Sequence, residues 1–397
     1  MNIYERMEKE NTVEHIKAFI ERQKMSYIEK KYYAVGRIID FLRECCRRGY
    51  NAHVSVGGLD SIVLYFFINY APEMKPAREA FKNTFGKIKG ISASYLEDNS
   101  IQKVHRALGI ETVRPVADKN GKVYSKSMIL QEFGFPVLSK EIAAKIELLQ
   151  NPTEKNKTVR HAIITGETGE YGGWQKDSRM QLSHIWLKKF GGYENENEGV
   201  NYGKPDFKVS SKCCYYLKEK PCDDWAKNHH SVPFLGLMAS EGGRREKSLK
   251  VHGCNYWGDT TVRSAPFAIF YRQDLLRLAV EMNRLYRKIK NDIQPNEKTE
   301  MPESLIPEIY GKIAKEGEEL YTTKAQRTGC TMCGFGIQLE KRPHRFDLLK
   351  DRNRKEWEYW MYKCCTDEKG KKFGWGKVLD YIGVEWETEY GVQEKLF

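Results

Sequence analysis

An α/β fold, with a parallel sheet flanked by helices, is what this sequence predicts. Three observations carry the prediction: a short apolar run that ends in two glycines and passes into a long apolar segment, the recurrence of such runs between helical stretches, and enough apolar residues to build a core. At 397 residues with 40% hydrophobic side chains, the chain suffices for one large domain or two ordinary ones.

Taken in order, residues 1–50 read as N-terminal helices. Ile16, Phe19 and Ile20 share one face, and Val35, Ile38, Ile39 and Leu42 form a second apolar stripe at three-to-four spacing. AHVSV at 52–56 reads as a strand that runs into Gly57 and Gly58, and the apolar SIVLYFFINYA that follows Asp60 reads as a buried helix. ISASYLED (91–98) is the next strand, with a helix over 101–109 behind it. RHAIITGETG (160–169) and FLGLMAS (234–240) are two further strands, the second leading into the polar loop EGGRREKS. Alternation of this kind places functional loops at the carboxyl ends of parallel strands. Pro295, Pro302 and Pro307 in the charged stretch 286–325 suggest a linker or an inserted excursion. The remainder opens on RTGCTMCGFG and reads as a small cysteine-containing module with helices around 357–362 and 378–382. The expected division is a helical segment at 1–50, a nucleotide-binding domain at 51–285 and a C-terminal module at 286–397.

A formal charge of +12 and a pI near 9.0 point to an anionic partner: a nucleotide, a nucleic acid or solvent counterions. The longest apolar run, 62–68, is far shorter than the roughly 20 residues that cross a bilayer. The charged start MNIYERMEKENTVEH has no apolar signal core, so the expected location is the cytoplasm, without a membrane partner. Thiols stay reduced there, and ten cysteines then point to metal binding or chemistry more than to disulfides.

HVSVGGLDSIVL (53–64) carries the strongest functional signal. Gly57 and Gly58 let backbone N–H groups approach phosphate oxygens, and the N-terminus of the following helix favours negative charge. Asp60 is placed to bind Mg²⁺ or to position the loop, and Ser61 to donate to a phosphate. The stretch resembles the SGGxDS signature of the ATP-pyrophosphatase and phosphoadenosine phosphosulfate (PAPS) reductase superfamily. Val56 takes the place of the first serine, at an expected cost of about 0.5–1.5 kcal/mol for one lost donor. Ser55 sits one residue earlier, where strand alternation turns it to the other side.

Further segments resemble a bacterial and phage branch of PAPS-reductase-like proteins, in the same order. FGFPVLSKEIAAKIE (133–147) is similar to its GYPVxSKE segment, SSKCCYYLKEKP (210–221) to its KCC segment, and GLMASEGGRREKSLKVHGCNYW (236–257) to its GxMAEES..R loop followed by GCN. Ser240 and Gly242 depart from that loop, while Glu241 and Arg245 match it. SAPFAIFYRQDLLRL (264–278) has Phe270 where the branch has tryptophan, and residues 320–350 and 377–384 resemble its C-terminal module. The resemblance implies an adenine nucleotide alpha hydrolase-like fold. It implies a nucleotide site on Ser55, Gly57, Gly58, Asp60, Ser61, Lys140, Glu241 and Arg245, with Arg327 as a further candidate; Arg244, Arg245 and Lys247, after a strand end, could also bind phosphate or sulfate bidentately.

Cys330 and Cys333 form a short chelating pair, and with others among Cys213, Cys214, Cys222 and Cys254 they could supply four thiolates to zinc or to an iron–sulfur cluster. The resemblance favours a four-iron cluster, with either Cys213 or Cys254 as the fourth ligand. Cys45-Cys46 and Cys364-Cys365 read as packing residues. The reductases that attack a sulfonate through a cysteine in an ECGLH-type tail differ from this chain, which has no cysteine after Cys365. Three functions follow as expectations: sulfur transfer or reduction on PAPS, adenylylsulfate or ATP; ATP-dependent sulfur modification of tRNA or DNA; or a catalytically silent nucleotide-binding subunit, with a partner protein or a second copy, in a phage or defence locus.

Overall fold

The computed structural model describes residues 3–167, 179–192, 194–195, 200–293 and 301–387. The chain forms two compact units, each made of two stretches: Met1–Arg114 with Pro221–Thr331, and Pro115–Lys220 with Met332–Phe397.

The first unit opens with helices α1 (Ile3–Gln23) and α2 (Tyr27–Arg48). Ser26 and Glu29 cap α2 reciprocally, and Gly49 closes it in the left-handed conformation that its lack of a Cβ permits. Ala34, Val35, Ile38, Phe41, Leu42 and Cys45 recur at three-to-four spacing and are the buried face of α2. β1 (Asn51–Ser55), α3 (Leu59–Tyr70), α4 (Lys75–Phe85), β2 (Lys89–Ser92), α5 (Asn99–Leu108) and β3 (Glu111–Thr112) follow. The chain re-enters the unit at α6 (Lys220–Asn228) and continues through β4 (Ser231–Leu235), α7 (Gly243–His252), β5 (Asn255–Trp257), β6 (Val262–Ser264) and α8 (Arg272–Ile289).

These strands make one six-stranded sheet in the order β3-β2-β1-β4-β6-β5. β1 pairs in parallel with β2 on one side and β4 on the other, with Val54 opposite Gly90 and Phe234. β2–β3 and β4–β6 are also parallel, and only β5 runs against its neighbour. The unit is therefore α/β, with a mixed, mostly parallel central sheet flanked by helices. α3 is buried nearly all round, from Leu59 to Asn69, as its unbroken apolar sequence requires.

Two strand readings in this unit change. FLGLMAS contributes only its first two residues to β4, because Gly236 must pass against the first turn of α3; a Cβ there would stand 2.9 Å from the Ser61 nitrogen. ISASYLED is strand only to Ser92 and then turns through Ser94–Leu96. In the stretch 286–325, read as a linker or an inserted excursion, residues 294–300 lie outside the described residues and the rest differs from a linker. α8 runs to Ile289, and residues 301–331 end in a hairpin, β7 (Ile313–Glu316) with β8 (Glu319–Thr322), and a following segment. Leu305, Ile306 and Tyr310 are buried in the same core as α3 and α8, so side-chain burial outweighs the proline content.

The second unit has its own core, built on Phe135, Phe346 and Trp375, with the Trp375 ring edge-on to both phenylalanines at 5.0 and 5.2 Å. Of RHAIITGETG, read as a strand, residues 160–165 lie within it in the helix Lys157–Thr165, and 168–169 lie outside the described residues. Thr153 and Asn156 cap the turn before it, Gly166 ends it in the left-handed region, and the AII run is too short to distinguish a strand from a buried helical face. No described helix is long and apolar enough to cross a membrane.

Candidate functional site

β1 lies between β2 and β4, and the chain leaves it in one direction to build β2 and β3 and later returns on the other side to build β4 and β6. The sheet order thus reverses between β1 and β4, and in open α/β sheets the crevice outside such a reversal is where ligands bind. The loop after β1 holds Gly57 and Gly58, and the loop after β4 holds Glu241.

The glycine loop is anchored from several sides. Gly58 stands at the N-cap of α3 with no side chain to cap it. The Gly57 N–H donates to Ser61 Oγ at 2.7 Å, and the Ser61 hydroxyl donates to the Gly58 carbonyl at 3.0 Å. His105 of α5, fully buried, donates from Nε2 to the Gly57 carbonyl at 2.9 Å and accepts from the Ser94 hydroxyl at Nδ1, 2.8 Å away. The Leu59 N–H donates to the Tyr310 hydroxyl at 3.0 Å, and that hydroxyl meets Thr328 Oγ1 at 2.6 Å. A Cβ on Gly58 would collide with Tyr310 Oη, so glycine is required here by close approach. The remaining first-turn N–H groups of α3, those of Asp60 and Ser61, have no intrahelical acceptor and sit at the positive end of the helix dipole.

Charge brackets the loop. Asp60 Oδ1 accepts from Arg272 Nη1 at 2.9 Å, and the other arm of Arg272 donates to the Gln326 carbonyl. Burial holds the Asp60 carboxyl above its usual value, with the Arg272 cation opposing and the Glu241 carboxylate adding to the shift. Glu241, nearly buried, pairs with Arg245 at 3.0 Å and with Arg327 at 3.7 Å. Arg245 and Arg327 are largely exposed, so both guanidinium groups reach solvent. Two carboxylates and three arginines around a helix N-terminus form a set able to take a phosphate chain with its counter-ion.

Gly57, Gly58, Asp60, Ser61, Glu241, Arg245 and Arg327, all singled out from the sequence, fall in this unit, and the ion pairs join Glu241 to Arg245 and Arg327. Ser55 ends β1 with Oγ 3.4 Å from His53 Nε2, on the face of the strand that His53 shares. Val56 is buried in the core, and its N–H donates to the Ile91 carbonyl. Lys140 belongs to the second unit, where it pairs with Glu219. Arg272, Tyr310, Thr328 and His105 were not singled out. Arg272 lies in a segment read only for its missing tryptophan, and Tyr310 in one read as a linker or an inserted excursion; the one available signal was Arg272 at the start of a helix beside a capping Asp274.

Among the cysteines, Cys254 lies in the apolar core of the first unit with Sγ 4.0 Å from the Tyr33 hydroxyl, and burial pushes its thiol up to about 11. Cys330 precedes Thr331, whose N–H donates to the Leu96 carbonyl beside the loop after β2. Cys213, buried, and Cys214 form a helical turn in the second unit, where Cys333 precedes the short strand Gly334–Phe335 and its carbonyl accepts from Arg345. Among the described residues, no three His, Cys, Asp or Glu side chains are grouped to hold a metal ion. Cys45, Cys364 and Cys365 are buried as packing residues, but Cys46, read with them, is exposed on α2.

Comparison with models of known protein families, with characterised proteins and with solved structures finds no match.

Proposed function

We propose that this chain binds an adenine nucleotide (PAPS, adenylylsulfate or ATP) through its phosphates at residues 57–61, with Mg²⁺ at Asp60, and acts in sulfur transfer or reduction. The observation that carries the reading is the position of the glycine loop: it joins a central parallel strand to a helix N-terminus at the reversal of strand order. The signature-like GGLDS and the ordered resemblances along the chain support a PAPS-reductase-like protein of the adenine nucleotide alpha hydrolase-like fold.

Within that reading, the first turn of α3 and Ser61 hold the phosphates, Asp60 holds the counter-ion, and Arg245 and Arg327 neutralise the outer phosphate or sulfate. An iron–sulfur cluster, with zinc as the alternative, on Cys213, Cys214, Cys330 and Cys333 is the cofactor the resemblance suggests. The described side chains do not bring three such ligands together, and no chemical step is routed through it. Cys254, packed in the core beside Tyr33, is the least suited of the five.

The test is calorimetric titration with ATP, adenylylsulfate and PAPS, each with and without Mg²⁺. Binding by at least one, competed by pyrophosphate and weakened at least tenfold in Asp60→Asn, supports the reading; no binding by any of the three overturns it. The charge of +12 favours a second version in which the acceptor is tRNA or DNA. That version requires nucleic-acid affinity that falls steeply with salt.

A further inference from the structure

We infer that Thr328 is a phosphate-positioning residue of this site, coupled to the N-terminus of α3 through the Tyr310 hydroxyl; the inference rests on the nucleotide reading above. The relay begins at the Leu59 N–H, a first-turn donor with no intrahelical acceptor. That N–H donates to Tyr310 Oη at 3.0 Å, and Tyr310 Oη lies 2.6 Å from Thr328 Oγ1. A tyrosine hydroxyl carries a single hydrogen. A phenol is a stronger acid than an aliphatic alcohol, so the favoured order has Tyr310 donating to Thr328.

The Thr328 hydrogen is then released for a third acceptor. Its oxygen stands 3.0 Å from the position of a Cβ on Gly58, directly over the glycine loop, and the residue is only partly buried. Three dipoles therefore run head to tail from the positive end of α3 to the hydroxyl of a partly exposed residue beside the glycine loop, each polarising the next. Tyr310 is held rigidly for the purpose: it is 3% exposed, and the 3₁₀ turn Glu308–Tyr310 is tied to α5 by the Ile309 N–H, which donates to Ser100 Oγ at 3.1 Å. Burial pushes the Tyr310 phenol up to about 12, so it keeps its hydrogen across the working pH range.

The acceptor this arrangement suits is a phosphate oxygen, flanked by the Arg327 guanidinium from the adjacent residue. Val56, turned into the core, brings no hydroxyl to the loop; Thr328 and Tyr310 bring two from a segment more than 250 residues later.

The experiment measures inorganic pyrophosphate and ATP binding, together with thermal midpoints, for the full-length wild type, Thr328→Val, Thr328→Ser, Tyr310→Phe and Thr328→Val/Tyr310→Phe. The expected result is about a five- to tenfold loss of affinity in Thr328→Val and in Tyr310→Phe. The double variant should lose no more than the worse single one, because both interrupt the same relay. Thr328→Ser should retain wild-type affinity, and Thr328→Val should melt with the wild type. Equal or tighter binding in Thr328→Val, with the wild type binding normally, overturns the role of Thr328 and leaves the loop reading standing. A wild type that binds neither probe overturns both. Should Tyr310→Phe fail to fold, the Thr328 pair decides the question alone.

Discussion

The Arg272 guanidinium donates to the Asp60 carboxylate at 2.9 Å, joining the start of α3 to the start of α8 across 212 residues of sequence. The acid of the glycine loop is thus already matched by a cation that comes from a distant helix. Burial raises the Asp60 carboxyl and Arg272 lowers it, so the pair sets the pH at which the acid becomes ionised.

Mg²⁺-nucleotide binding through Asp60 needs the carboxylate. Affinity should therefore fall as pH drops through the raised Asp60 value. Arg272→Met removes the opposing cation and should move that loss to higher pH, while Arg272→Lys keeps it near the wild-type position. A Mg·ATP affinity profile from pH 5 to 8 reads the shift; coincident profiles for Arg272→Met and the wild type would refute the coupling.

Arg272 is aimed by a second, buried pair. Asp274 accepts the Tyr271 N–H at the start of α8 and pairs with Lys30 at 2.7 Å, both side chains being almost fully buried. Lys30→Met leaves that carboxylate uncompensated and should cost about 3–5 kcal/mol in urea unfolding. Lys30→Met/Asp274→Leu should recover much of the loss, since removing both charges removes the desolvation penalty with them.

Gly58→Ala puts a methyl group into Tyr310 Oη. A loss of about 1–3 kcal/mol is expected, the usual range for overpacking. Tyr310→Phe deletes the colliding atom, so Gly58→Ala/Tyr310→Phe should be more stable than Gly58→Ala alone. Thermal melts of the three variants check the suppression.

His53 of β1 is 2% exposed, with Nδ1 2.8 Å from Ser231 Oγ, and burial pushes its imidazole down to about 4, helped by repulsion from His229. The unfolded chain binds the proton near its ordinary value of 6.5, so stability is lost as pH falls from there toward 4. The loss amounts to about 3 kcal/mol when complete. Unfolding at pH 7, 5.5 and 4.5 should show a shallower decline in His53→Gln than in the wild type.

A protein purified without oxygen should carry matched iron and acid-labile sulfide and absorb broadly near roughly 400 nm, with both signals lost in Cys333→Ala. A colourless protein with zinc or no metal would remove the cluster from the proposed function.

β1, the glycine turn and α3 were legible because all their signals lie within 20 consecutive residues: apolar alternation, two glycines and an unbroken apolar helix. α2 was legible from its stripe at Val35, Ile38 and Leu42. Tyr310, Thr328 and Arg272 were not, because nothing local marks a tyrosine in a proline-bearing stretch as the cap of a helix 250 residues earlier. The reversal of strand order was equally hidden, since which strand lies beside β1 depends on pairing between Asn51 and Ser231 and not on either sequence alone. His161 to Thr165 was misread because three apolar residues fit both periods, and burial in the second unit decided for the helix.

The central position of β1 also bears on how the chain is made. One of its two edges is completed by β2, soon after it emerges from the ribosome; the other must await β4, whose Ser231 is 178 residues beyond His53. At ordinary elongation rates that interval lasts about 10–35 s. Throughout it the nascent chain presents a half-paired strand, with all of residues 115–220 synthesised before its partner arrives. Recombinant yield should therefore respond to slower growth and to holdase chaperones that shield strand edges.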